Sequence, residues 1–386
     1  MTRWQADERL RSLLADYDPD RPLSRAWTLP KEWYLDPAVA ELEREVIFAR
    51  TWQAVGRREL VQDTGQYLTF DVAGEPVVVV RGEDGQLRAF INVCRHKAAR
   101  VCTAEHGQSS KLRCHYHGWT YDLQGRLRGL PEFAGVEDFD RETQGLPPVA
   151  VAEWGPYVWV HLEPPQQSLE EFLTPLPQWV QQRGDPFRQQ VWHERRSYDV
   201  ACNWKVYVDN YLDGGYHVNT VHPDLAGVLD YKDYTTTCAG NTVLQSSPLK
   251  AGEGAAGRTR VGDLAAYWWV YPNVMFNLYP GVMDCNIVVP LEVDRCRVIF
   301  DLYFAPGTPA DFIRESLAVT EQVQREDMAV CEEVQRNLRS RSYRAGRFSV
   351  QRENGNYYFH QLTARALQGA LGVTPHPAVP ARGTQP

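Results

Sequence analysis

The chain has 386 residues, with 41 Lys plus Arg against 49 Asp plus Glu, a formal net charge of −8 at pH 7. That length accommodates two domains that each bury a core without disulfides, and the acidic balance excludes the basic face with which a nucleic-acid binder neutralises phosphates. With 43% hydrophobic and 23% charged residues the composition is that of an ordinary globular protein, and small molecules are the expected partners.

No run approaches the roughly 18 apolar residues of a membrane span, and the first twenty residues are too charged for a signal peptide. No membrane association and a cytoplasmic location are expected. Eight cysteines spread over the chain read as free or metal-bound thiols of a reducing compartment.

In chain order, residues 1–44 form an N-terminal segment expected to pack on the second domain, with a helical apolar pattern from Glu41 to Phe48. The runs Gln66 to Val72, Pro76 to Arg81, Leu87 to Val93 and Tyr157 to Leu162, separated by turns such as Gly82-Glu-Asp-Gly85, predict an antiparallel β domain over 45–165. Mixed signals follow, including a strand at Val298 to Phe304 and a long helix from about Pro309 to Arg341, so an α+β domain is expected over 166–368. The last stretch, 369–386, is rich in Pro, Gly and Ala and reads as a flexible tail.

Two motifs carry chemistry. Cys94-Arg-His96 is followed, after seventeen residues, by Cys114-His-Tyr-His117. Each loop thus offers one thiolate and one imidazole, the donor set of a Rieske [2Fe–2S] cluster. Structural zinc uses the same residue types but usually pairs Cys with Cys and His with His. Gly118 and Trp119 suit a tight loop with a shield against water. His115 is the competitor to His117, which the Cys-x-x-His spacing favours, and Cys102 and His106 read as ordinary loop residues.

The second motif is Asp209-Asn-Tyr-Leu-Asp213-Gly-Gly-Tyr-His217-Val-Asn-Thr-Val-His222. On one helix Asp209, Asp213 and His217 are i, i+4 neighbours; His222 needs a helix end before Pro223 to rejoin them. Two histidines plus a carboxylate leave open positions on Fe(II), as in non-haem oxygenases. On their own, such histidines and acids also fit a solvated surface helix.

These residues together resemble the Rieske ring-hydroxylating oxygenase superfamily, large-subunit type, over about residues 28 to 368. The Asp209-to-Val218 run and Cys331-Glu-Glu-Val-Gln-Arg look like its choline monooxygenase and quaternary-amine branch. The resemblance implies a catalytic domain with a helix-grip-like antiparallel sheet flanked by helices. It further implies mononuclear iron on His217, His222 and a carboxylate of the long helix, for which Asp327 matches best among the nearby Glu326 and Glu332. An acid three residues before the first histidine commonly links this iron to a neighbouring subunit's cluster; here that position is Gly214, and Asp213 or Asp209 must serve. A head-to-tail homotrimer, O2 as co-substrate, and NAD(P)H acting only through a separate reductase or ferredoxin are implied as well.

The aromatic run Tyr267-Trp268-Trp269-Val-Tyr271-Pro-Asn-Val-Met-Phe276-Asn-Leu-Tyr279 suits a quaternary ammonium group, since aromatic faces attract cations; core packing is the plain alternative. Trp268, Trp269, Tyr271, Phe276, Tyr279 and Tyr207 are the substrate-binding candidates. The expected reaction is hydroxylation of a quaternary amine, either choline to betaine aldehyde or N-demethylation of a betaine. Aromatic ring dihydroxylation or aryl O-demethylation, and an electron carrier with a non-catalytic binding domain, are the rivals. Gly252-Glu-Gly254-Ala-Ala-Gly257 matches a dinucleotide pattern literally but lacks its context, and reads as a mobile loop.

Overall fold

The computed structural model describes residues 3–376, which divide into two compact units. One is continuous in sequence, Phe48–Phe172; the other joins the chain up to Ile47 with the chain from Leu173 onward. Among the described residues no helix is long and apolar enough to cross a membrane.

The continuous unit contains β1 (Gln53–Arg57), β2 (Gln66–Val72), β3 (Glu75–Arg81), β4 (Leu87–Ile91), β5 (His106–Gln108), β6 (Leu112–Arg113), β7 (Thr120–Tyr121), β8 (Leu127–Gly129), β9 (Pro148–Trp154) and β10 (Tyr157–His161). Seven form one sheet in the order β1-β10-β9-β4-β3-β2-β5, and β6-β7-β8 form a second. The run Val77-Val-Val-Val80 shows why both faces are covered. Val77 and Val79 pack with Leu68, Val158 and Val160, while Val78 and Val80 join Phe90, Trp119 and Tyr121 on the other side. A strand buried on both faces reads as a continuous apolar run rather than an alternating one.

The second unit is built on a seven-stranded antiparallel sheet made of β11 (Val191–Val200), β12 (Thr235–Ala239), β13 (Thr242–Pro248), β14 (Leu264–Val270), β15 (Val274–Tyr279), β16 (Val282–Glu292) and β17 (Arg295–Phe304). Its order is β11-β17-β16-β15-β14-β13-β12, a meander whose first strand closes the far edge. Six helices matter here: α1 (Glu8–Ala15), α2 (Pro37–Glu43), α3 (Trp204–Tyr211), α4 (Val218–Val221), α5 (Ala310–Asn337) and α6 (Asn354–Leu371). The expected long helix is α5, of 28 residues.

The N-terminal segment is integral to this unit. The Gln368 amide on α6 donates to the Leu14 and Tyr17 carbonyls at 2.8 and 2.7 Å. Glu43, at the end of α2, accepts from Lys205 Nζ at 2.6 Å and Trp204 Nε1 at 2.8 Å, with all three side chains buried. Burial lowers the Lys205 ammonium and raises the Glu43 carboxyl from their ordinary values, each opposed by its partner.

The helical pattern from Glu41 to Phe48 is met, as the last turn of α2 to Glu43 followed directly by a π-helical turn over Arg44–Phe48. Several expectations need correction. Residues 369–371 are not tail but the last turn of α6, which stops on Gly372 in the left-handed conformation, and His376 N–H donates to the Ala15 carbonyl at 2.8 Å; the rest of the expected tail, 377–386, lies outside the described residues. Gly252 to Gly257 is not a mobile loop: it closes into a short helix, Gly254–Thr259, after β13. A Cβ on Gly257 would sit 2.1 Å from the Gly252 carbonyl oxygen, so the glycine serves close packing. His106 opens β5, and Cys102 is a core residue whose thiol burial pushes up to about 12.

Candidate metal centres and active-site cavity

In the continuous unit the two Cys/His loops share one backbone form. Cys94 N–H donates to the Ala99 carbonyl at 2.8 Å and Ala98 N–H to the Cys94 carbonyl at 3.0 Å. In the second loop Cys114 N–H donates to Trp119 at 2.9 Å and Gly118 N–H to Cys114 at 3.1 Å. Ala98 and Gly118, both four residues after the cysteine, are the left-handed positions. The turns bury Cys94 and Cys114 and bring the His96 and His117 rings to 4.6 Å. His96 stacks on Trp119, 4.9 Å away and 7° from parallel. His115 is exposed.

The donor set suits an iron–sulfur cluster with two thiolates and two imidazoles. His96 Nδ1 is buried with no hydrogen-bond partner from the protein, as fits a nitrogen reserved for a metal.

In the other unit α3 ends at Tyr211, and the chain turns through Gly214 and Gly215, both left-handed, before α4. The expected single helical face carrying Asp209, Asp213 and His217 is therefore broken. Asp213 closes the turn, accepting at Oδ2 from His217 N–H at 3.0 Å and meeting His217 Nδ1 at 2.6 Å. Asp209 looks elsewhere: its carboxylate accepts from Tyr34 Oη at 2.7 Å and His360 Nε2 at 2.7 Å. Leu29 N–H, donating to His360 Nδ1 at 3.2 Å, fixes that tautomer.

His222 stands between α4 and a turn that starts at Pro223. The helix end before proline brings it back to His217, with ring centroids 5.0 Å apart. The carboxylate comes from α5. The ligand atoms of His217, His222 and Asp327 all lie within 4.8 Å of one another. Asp327 Oδ1 is 3.0 Å from His222 Nε2 and 3.7 Å from His217 Nε2.

The distal nitrogens are tied back, His217 Nδ1 to Asp213 and His222 Nδ1 to Glu326 Oε2 at 2.7 Å. Both Nε2 atoms thus face Asp327, the arrangement of a two-histidine, one-carboxylate iron site with carboxylates fixing the imidazoles. Burial depresses the His222 imidazole, but Asp327 and Glu326 outweigh it and hold it above its ordinary value. Of the alternative acids, Glu326 supports His222 and Glu332 accepts from Ala201 N–H at 3.2 Å, away from the site.

Helices α3 and α5 register through two rungs. Tyr207 Oη donates to Gln324 Oε1 at 2.6 Å, and Asn210 Nδ2 to Asp327 Oδ1 at 2.6 Å. Both pairs are spaced i, i+3, one helical face against another.

Beside these residues lies a cavity of about 130 Å³. Gln245, Tyr267, Asn277 and Asp284 form one cross-strand row along its sheet wall, each directly opposite the next on β13 to β16. Tyr207, Tyr211, Tyr234 and Tyr279 also line it; Tyr267 and Tyr279 join hydroxyls at 2.7 Å. Asp284 is raised by burial, offset in part by the Asn277 amide and by Arg260.

Of the six aromatic candidates only Tyr207 and Tyr279 reach the cavity. Trp268 and Phe276 belong to the adjacent row, pointing to the opposite face, where Trp268 meets Trp179 at 5.7 Å and Phe276 meets Phe187 at 5.1 Å. Trp269 shares the face of Tyr267 but is covered by Phe359 of α6 and packs edge-on against Tyr271. These four are core. Tyr211, Tyr234, Arg260, Asn277 and Asp284 escape the sequence reading. The signal for the acid is Asp284 and Asn286 alternating inside the apolar run Val282 to Val289, which marks a strand face that is not plain core.

Comparison with known proteins adds three relatives. Residues 51–140 match the family model described as the Rieske [2Fe-2S] domain, and residues 187–369 that of the ring hydroxylating alpha subunit (catalytic domain). The chain is 37% identical to the chloroplastic choline monooxygenase of Arabidopsis thaliana, covering 95% of this chain and 89% of that protein. It is 30% identical to the carnitine monooxygenase oxygenase subunit of Escherichia coli strain K12, covering 89% and 94%. A solved structure of the quaternary ammonium Rieske monooxygenase CntA with L-carnitine superposes with a TM-score of 0.81 at 29% identity, covering 92% and 99%.

Proposed function

The chain belongs to the Rieske-type ring-hydroxylating oxygenase family, alpha-subunit class, and from that premise we propose that it hydroxylates a small quaternary amine beside His217, His222 and Asp327. It is an oxygenase that uses a Rieske [2Fe–2S] cluster and a mononuclear non-haem iron. Cys94, His96, Cys114 and His117 hold the cluster, and His217, His222 and Asp327 the iron. Iron bound there supplies oxidising power drawn from dioxygen, with single electrons arriving through the cluster.

The protein's own groups do the rest. Asp213 and Glu326 keep a proton on each Nδ1, so both Nε2 lone pairs stay turned toward the metal position. The tyrosines are neutral phenols, burial holding Tyr211, Tyr234 and Tyr267 well above their ordinary values. Their rings offer negative faces to an ammonium group while excluding water. At roughly 10–15 Å³ per water-sized probe, the cavity holds a ligand on the order of ten non-hydrogen atoms.

The observation that carries this reading is the donor triad opening onto a tyrosine-walled cavity that also contains a carboxylate, Asp284. Electrons come from a separate reductase or ferredoxin, and the working assembly is a homotrimer. The test is NADH-driven turnover with a surrogate reductase on choline, glycine betaine, carnitine and simple aryl acids, read as formaldehyde or aldehyde. Turnover of quaternary amines is expected; turnover of aryl acids alone rejects it.

A further inference from the structure

The short helix Gly254–Thr259 delivers Arg260 to the cavity wall. The side chain is 4% exposed. Its Nη1 donates to Ser316 Oγ at 2.7 Å and its Nη2 to Thr320 Oγ1 at 3.0 Å, both neutral hydroxyls on α5. The guanidinium lies 4.9 Å from the Tyr279 ring centroid. No carboxylate forms an ion pair with it among the described residues. A buried guanidinium whose hydrogen bonds go to neutral oxygens faces the ligand cavity, and Asp284 on the same wall acts on it only through space, its carboxylate being taken by the Asn277 and Asn286 amides, so an anion in direct contact is the partner this group accommodates.

We propose that Arg260 binds a carboxylate of the substrate, so that the preferred substrate is a short aliphatic zwitterion bearing both a quaternary ammonium and a carboxylate group. The proposal rests on the quaternary-amine reading and narrows it: a substrate ending in a hydroxyl offers Arg260 no anion.

The helix α5 acts as a ruler. Arg260 is anchored at Thr320, and Asp327 follows seven residues later on the same helix, about 10 Å along the axis at about 1.5 Å per residue. A guanidinium–carboxylate hydrogen bond takes about 3 Å of this. About 7 Å remains toward the metal ligands, room for a chain of a few carbons ending in an N-methyl group. Tyr279 carries the guanidinium, so the ammonium falls to the other lining rings, among them Tyr207, Tyr211 and Tyr234, with Asp284 also on the cavity wall. Arg260 and Asp284 mark the two charges of a zwitterion rather than one.

The test measures dissociation constants by calorimetry on the purified, iron-loaded oxygenase under anaerobic conditions. The probes are γ-butyrobetaine and glycine betaine, the carboxamide of each, choline and benzoate. At least one acid is expected to bind tenfold or more tightly than its amide and than choline. Arg260→Gln is expected to bring acid and amide within about threefold of each other, and Arg260→Lys to keep part of the preference, as a single-point cation does. If Arg260→Gln fails to fold, the acid-to-amide ratio of the unaltered protein decides alone. Amide or choline binding as tight as the acid overturns the carboxylate anchor and leaves the quaternary-amine reading standing. Binding of benzoate with no binding of any amine overturns both.

Discussion

Glu326 is adjacent in sequence to the ligand Asp327 and contributes through His222 alone, which makes it a graded probe of the iron site. Its Oε2 meets His222 Nδ1 at 2.7 Å and its Oε1 accepts from Gln322 Nε2 at 2.7 Å. In Glu326→Gln the amide oxygen still accepts from His222 Nδ1, so only the charge is lost. The difference between a charged and a neutral hydrogen bond is about 1 kcal/mol, about fivefold in iron affinity. In Glu326→Leu the Nδ1–H of a 2% exposed histidine has no acceptor, and the cost rises to about 1.4–2.7 kcal/mol, about 10- to 100-fold. Anaerobic Fe(II) titration of metal-free protein, with circular dichroism to verify folding, measures both. Equal losses for Gln and Leu, or none for either, refute the idea that this carboxylate holds the imidazole for the metal.

Three further outcomes follow from the geometry. Placing an acid at the position three before His217 fails: a Cβ on Gly214 lies 2.2 Å from the Arg352 carbonyl oxygen at a φ of +66°. Gly214→Asp is therefore expected to lower stability by about 2 kcal/mol or more with no gain in coupled turnover, read by urea unfolding and product yield. Tyr279→Leu removes the cavity ring that Arg260 lies against and is expected to weaken substrate binding by about 0.5–2 kcal/mol, whereas Trp269→Phe, a core change, lowers the melting temperature and leaves binding intact. Lys205→Met strands the Glu43 carboxylate in the interior and is expected to cost about 3–5 kcal/mol, seen as a shifted denaturation midpoint.

Where local chemistry is strong the sequence is easily read. The Cys/His spacing leads directly to the paired loops, and the uninterrupted Val77 to Val80 run and the long apolar periodicity of α5 lead to their elements. His222 is recoverable because proline at 223 ends the helix. What is not legible depends on register and on chain crossings. The i, i+4 rule links Asp213 to His217 correctly but places Asp209 beside them, since it has no knowledge that Gly214 and Gly215 unwind the turn beneath Arg352. Alternation separates Tyr267 from Trp268, yet only the pairing of four strands shows that the polar row, and not the tryptophans, faces the cavity. Arg260 sits next to a glycine cluster that resembles a nucleotide loop, and its importance appears only when two hydroxyls on a distant helix receive it.

The buried pair of Glu43 and Lys205 has a consequence for synthesis. The unit carrying the iron site is split in sequence by a complete one, Phe48–Phe172, so a nascent chain finishes the cluster-bearing unit while Glu43 still waits for its cation. At roughly 5–20 residues per second that wait lasts on the order of ten seconds. During it α1 and α2 have no partner surface, and their apolar faces, including Leu10, Leu14, Val39 and Leu42, stand open to solvent and to chaperones. Slowed translation between residues 48 and 205 is expected to lengthen that exposure, and α1 waits longer still, until α6 is made.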